Sequence, residues 1–182
     1  MNEQGIRIIE VMMLLILSVW SDTKDFKVRN SITFSAAFVG IITCFIVEGP
    51  NGLFQSIQGM MIPLALLFTL YLLRMLGAGD IKLFGAIGAI MGTGFVLNAI
   101  TCSFLFGGTL SIAIIAMRKN GKQRFIHLYC YLKACFLSMK LLEYQDFQKE
   151  RDGVFRFSYA IAGGTLLAFG FAAYKIELLP FL

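Results

Sequence analysis

The chain predicts an all-α fold: a polytopic membrane bundle of about six transmembrane helices, forming one domain over residues 1–182. Three observations carry this. Hydrophobic residues make up 58% of the chain and charged residues only 15%, where a soluble domain has roughly 25% charge. The apolar residues come in blocks rather than at the spacing of a half-buried helix. Nothing alternates over roughly 10 residues, as outer-membrane strands do.

Six blocks are long enough to approach the ~17–25 residues that cross a bilayer: 5–21, 32–47, 60–76, 81–97, 98–117 and 156–176. The first carries Glu3 and Glu10, has Arg7 as its one positive charge, and lacks a small-x-small cleavage site near Ser21. It is therefore read as a retained span rather than a signal peptide. In the third, Pro63 falls one turn inside the span, where a missing backbone donor costs least. The fourth and fifth meet at 97/98. Glycines at 85, 88, 92, 107, 108, 163 and 164 are read as packing positions that let helices approach closely.

Between the fifth and sixth blocks, Phe125, Leu128, Leu132, Phe136 and Met139 recur at helical spacing. This predicts an amphipathic helix over 123–148 lying on the cytoplasmic leaflet. A seventh span there would bury Lys133 at a cost of roughly 2.5–3.5 kcal/mol. Glu143, Asp146, Glu150 and Asp152, interleaved with Lys149 and Arg151, read as a solvated loop.

Orientation follows from the basic residues. Counting spans from the N-terminus, one face receives Lys24, Lys27, Arg29, Arg74, Lys82 and the nine basic residues of 118–156. Only Arg7 and Lys175 fall on the other face. The rich face is cytoplasmic, so both termini lie outside. The net charge of +5 is thereby explained without nucleic acid.

Asp22 and Asp80 each stand at the end of an inward-running block and emerge on that cytoplasmic face. Acids at membrane depth are costly and usually functional. Two carboxylates about 3 Å apart cannot both ionise, so they share a proton. One can then take a proton from water while the other polarises a peptide carbonyl, the chemistry of an aspartic protease. Gly77 and Gly79, in Gly77-Ala78-Gly79-Asp80, lack side chains and tolerate positive φ, which would let a substrate strand approach Asp80. A purely structural reading stands beside this: Gly77 as the end of the third helix, Asp80 as the N-cap of the next, and Asp22 as a loop charge or cap. Glu10 is expected to pair with Arg7, and His127 is given no chemistry. Cys44, Cys102, Cys130 and Cys135 include no Cys-x-x-Cys, so neither zinc nor disulfides are expected. From other classes, a small proton-coupled transporter would use such acids nearer the midplane. A non-catalytic pilus or secretion assembly subunit would not need them.

The block Gly77-Ala78-Gly79-Asp80-Ile81-Lys82 resembles the Gly-x-Gly-Asp-x-Lys motif of type IV prepilin peptidases. Asp22 followed by basic residues and by Asn30 eight positions on resembles their other aspartate motif. The resemblance implies that Asp22 and Asp80 are catalytic, and that Gly77, Gly79, Asn30 and Lys82 shape the site. It implies cleavage of leader peptides from pilin-like precursors at the cytoplasmic membrane face, usually after a glycine, with no metal or cofactor. Its substrates would be prepilin- or preflagellin-type proteins. Arg29 stands where the family often has Pro. Asp25 lacks the offset to Asn30, and Arg156-Phe157-Ser158-Tyr159-Ala160 resembles the family's final helix without its Pro. The chain is similar to the short stand-alone members, so the purified protein is expected to transfer no methyl group from labelled S-adenosylmethionine onto a processed pilin.

Overall fold

A computed structural model of the chain describes residues 3–25, 29–73, 75–117 and 156–173. These form five helices: α1 (Glu3–Asp25), α2 (Asn30–Leu72), α3 (Ala78–Met91), α4 (Thr93–Met117) and α5 (Phe157–Ala173). The amphipathic helix expected over 123–148 lies outside the described residues, as do His127, Cys130 and Cys135.

Among the described residues, three helices are long and apolar enough to cross a membrane, over Gln4–Lys24, Asn30–Leu72 and Thr93–Ile114. The surface agrees with a lipid surround. Trp20, Phe34, Phe38, Ile46 and Leu105 are exposed, while Ser18, Ser21, Asp22, Thr33, Ser56, Ser103, Ser158 and Thr165 are buried.

Helix α2 has 43 residues and, if straight, would run about 65 Å, twice the hydrocarbon thickness. It does not run straight. Gly49 adopts φ 65, ψ −146, a conformation that costs glycine little, and Pro50 follows. The two arms, 30–48 and 50–72, fold back so that Gly52 packs on the carbonyl of Cys44. Both arms reach the same end of α3: Gly40 lies against Ile90, and Gly59 against Gly88. The expected connecting segment 48–59 is therefore helical over most of its length, and the third helix ends at 72 rather than 76.

Pro63 consequently lies deep in the second arm, not in its first turn. Lacking an N–H, it leaves the carbonyl of Gly59 without the usual donor four residues on. That carbonyl lies against Gly88, so a methyl group added at Gly88 would collide with it, as one at Gly59 would with the carbonyl of Gly88. Proline and two glycines together create one close backbone crossing.

Helix α3 is apolar all round and correspondingly surrounded. Leu83, Phe84, Ala86, Ile87, Ala89 and Ile90 are each no more than 1% exposed. It ends at Met91 because Gly92 turns to φ 83, ψ 177, which moves the expected 97/98 boundary six residues earlier. At about 21 Å, α3 is too short to cross ~30 Å of hydrocarbon. Its terminal carbonyls find partners on α2: Ser56 Oγ donates to Ala89 O at 2.5 Å, and Cys44 Sγ lies 3.5 Å from Ile90 O. Helices α1 and α5 complete the surround, each contacting α3 and one another.

The charges near the start of α1 pair differently from the sequence expectation. Arg7 bonds Glu48 at 2.7 Å, and Glu10 instead accepts from Thr43 Oγ1 at 2.7 Å. The doubling-back of α2 brings Glu48 within reach of Arg7.

Replacing Gly59 or Gly88 by Val should cost about 2 kcal/mol or more and lower the melting temperature in detergent by roughly 4–8 °C. Gly170→Val, at a glycine with nothing within 4 Å of a Cβ, should change it little.

Candidate active site

Six residues singled out from sequence lie at or beside three helix ends. Asp22 is not released into a loop. Helix α1 continues to Asp25, so Asp22 stands in its last turns, on the buried stripe that includes Val11, Leu14, Leu15 and Ser18. Asp22 is 9% exposed, and its Oδ2 accepts a hydrogen bond from the hydroxyl of Ser158 in the first turn of α5.

Asp80 occupies the third position of α3, behind Gly77 as N-cap. Its backbone N–H donates to Gly77 O at 3.1 Å, while its carboxylate takes a hydrogen bond from the Gly77 backbone. The carboxylate contact is one half of a capping box; Gly77 has no side chain to supply the other. The structural alternatives are thus revised: Gly77 begins α3 rather than ending α2, and Asp80 is not the N-cap.

Neither Gly77 nor Gly79 uses positive φ; Gly49 and Gly92 are the glycines that do among the described residues. At Gly77 what matters is room. A Cβ there would stand 3.1 Å from Asp80 Oδ2. Gly79 is half-buried within the first turn.

Asp80 precedes the apolar run of α3 and is half-buried. Burial pushes its carboxyl up from an ordinary 3.8 to about 6; the Gly77 bond opposes that rise and the charge of Asp22 adds to it. Asp80 therefore senses the charge of Asp22, 58 residues earlier on α1.

Asn30 and Lys82 also meet. Lys82 Nζ donates to Asn30 Oδ1 at 3.0 Å and lies 5.4 Å from the centroid of Phe34. Asn30 opens α2, and its neighbour Arg29 donates its backbone N–H to Ser21 Oγ at 3.3 Å, one residue from Asp22. Ser21 on α1 and Lys82 on α3 thus hold adjacent residues at the start of α2.

Sequence reasoning missed Ser158, Ser21 and Phe34 as partners. Ser158 had a usable signal: by the count of spans from the N-terminus, the sixth block is expected to begin on the same face as Asp22 and Asp80. A cleft of about 390 Å³ between α1 and α2, lined by Glu10, Met13, Leu17, Ser31 and Val39 among others, contains neither aspartate. Among the described residues no three or more His, Cys, Asp or Glu side chains are grouped to hold a metal ion.

The type IV leader peptidase family model matches residues 9–112, more than half of the chain, a range that includes both aspartates. No curated protein and no solved structure matches the chain.

The raised proton affinity of Asp80 has a stability consequence. The folded carboxyl holds its proton to higher pH than the unfolded one, so its contribution is greatest below about 3.8 and is lost as pH rises through about 6. Asp80→Asn should melt close to the unchanged chain at pH 3.5 and higher than it at pH 7.5. Each ~1 kcal/mol is read as about 2–4 °C in a chain of this size.

Proposed function

We propose that this chain, which belongs to the type IV leader peptidase family, is an aspartic endopeptidase that removes leader peptides from pilin-like precursors. The supporting observation is that the charge of Asp22, on α1, acts on the half-buried Asp80 at the start of α3. In an aspartic dyad the two carboxyls share one proton. The ionised carboxylate takes a proton from water, whose oxygen adds to the scissile carbonyl carbon. The protonated carboxyl hydrogen-bonds the carbonyl oxygen as negative charge grows there. Collapse of the tetrahedral adduct breaks the C–N bond, and the amine leaves with a proton returned from the pair.

The site lies at the cytoplasmic face in this reading, with both termini outside. Each arm of α2 makes a crossing, and the chain is a single multi-pass domain in the cell membrane. Gly77 leaves space at Asp80, and Asn30 with Lys82 braces the entrance beside it. Precursors of the prepilin or preflagellin type are the substrates.

Co-expression in membranes with a pilin precursor from the same genome tests the reading. The intact chain should yield a shortened pilin. Asp22→Ala and Asp80→Ala, at equal expression, should each lower processing by at least about 10³-fold, as loss of a catalytic group does. Processing that survives both changes would return the chain to the transporter or assembly-subunit class. Because the pair must keep one proton, kcat/KM should fall as pH rises through about 6. The kcat limb should lie higher, since bound precursor excludes more water from Asp80.

A further inference from the structure

Ser18 stands on α1 four residues before Asp22, on the same buried stripe, and is 0% exposed. Its Oγ has no hydrogen-bond partner among the described residues. Other hydroxyls within the helices turn back on their own backbone. Thr101 donates to Leu97 O, Ser103 to Ala99 O and Thr165 to Ile161 O, each four residues earlier. Ser18 makes no such bond to the carbonyl of Leu14. A buried hydroxyl without a partner costs stability, so this one needs an explanation.

Its apolar neighbours supply none. Val11, Leu14 and Leu15 of the same stripe belong to one cluster with Phe84 and Ile87 of α3 and Ile161 of α5. One turn further along the face is the Asp22 carboxyl. Helix residues four apart have Cβ atoms about 5–6 Å from each other. Each Cα–Cβ bond also tilts toward the helix N-terminus, so the Asp22 side chain leans over the turn that holds Ser18. One water closes such a gap with two hydrogen bonds of about 2.8 Å. A carboxyl offers about four acceptor sites, enough for the Ser158 hydroxyl, an arginine fork and a water together. The bridge is therefore compatible with Arg29 and Arg156, which stand at this end and have interactions of their own.

We propose that Ser18 is a positioning residue: with Asp22 it holds the water molecule that the pair adds to the scissile carbonyl carbon. This rests on the reading of Asp22 and Asp80 as the catalytic pair, and adds the group that keeps the nucleophile in place. The surroundings create the need for one. Water stays among apolar side chains only where two or more polar groups bond it, and bound precursor expels bulk water from the site. The water gives a proton to the carboxylate and its oxygen to the carbonyl carbon, while the Ser18 hydroxyl is neither consumed nor charged.

Two readouts test this, both on the full chain in membranes. The first needs no precursor. Infrared spectra in heavy water and in ¹⁸O-labelled heavy water read the O–D stretch of held water for the unchanged chain, Ser18→Ala and Ser103→Ala. An ¹⁸O-sensitive band should appear in the unchanged chain and in Ser103→Ala, a control at a buried hydroxyl bonded to its own helix, and be lost in Ser18→Ala. The second is kinetic, on a precursor that the unchanged chain cleaves. Ser18→Ala should lower kcat about tenfold with KM within about twofold, as loss of one hydrogen bond to the nucleophile does. Ser18→Thr, which keeps the hydroxyl, should recover the rate. If its extra methyl prevents accumulation, Ser18→Cys should fall between Ser and Ala. A purely structural hydroxyl gives the opposite result: Ala fits the space, removes a lone polar atom and raises the melting temperature, with kcat and the band unchanged. That result, a band lost with kcat unchanged, or a loss confined to KM would overturn the role of Ser18. Activity surviving in Asp22→Ala and Asp80→Ala would instead overturn the catalytic pair, while the infrared band still reads the water.

Discussion

The close crossing of α2 over α3 is the constraint on which the rest of the structure depends. Gly59 and Gly88 bring two backbones into contact, Pro63 frees the carbonyl that makes the contact, and Gly49 turns α2 so that its other arm reaches the same end of α3. In a lipid surround there is little hydrophobic gain in bringing helices together, so close packing must hold the bundle. A short helix enclosed on all sides then presents its N-terminus, and with it Asp80, at a fixed place. Helices α1 and α5 pack on that enclosed helix and on each other, bringing Asp22 and Ser158 to the same end.

The bundle buries hydroxyls and Asp22 among apolar side chains and is apolar on its outside, and this ordering sets the surroundings of the two aspartates. A carboxyl exposed to water would ionise at an ordinary pH and hold no proton to share. Partial burial raises the proton affinity of Asp80, while the Gly77 backbone keeps the group from losing its charge-bearing ability altogether. Asp22 is more deeply buried but has a donor. Two identical side chains are thus differentiated by a hydroxyl on one and a helix N-terminus on the other.

Much of this was legible from residues alone, and the failures have physical causes. Block lengths report transfer energies, which depend on composition, so the helical class and its long apolar helices could be read directly. The breaks could not be. The sequence 48–59 is polar enough to look like a loop, yet one residue, Gly49, absorbs the whole reversal. The stop at Gly92 lies inside an unbroken apolar run, and its cause is a backbone conformation that hydropathy does not register. Pairings across helices were the least legible: Arg7 chose Glu48 over the nearer Glu10 because α2 turns back, and Ser158 meets Asp22 because α1 and α5 pack together. The family match covers 9–112 and so does not extend to Ser158.

The ties at the start of α2 join three helices at two adjacent residues. Ser21 on α1 accepts from the backbone N–H of Arg29, and Lys82 on α3 donates to Asn30. A disturbance at this corner therefore reaches the helix that carries Asp22 and the helix that carries Asp80 alike.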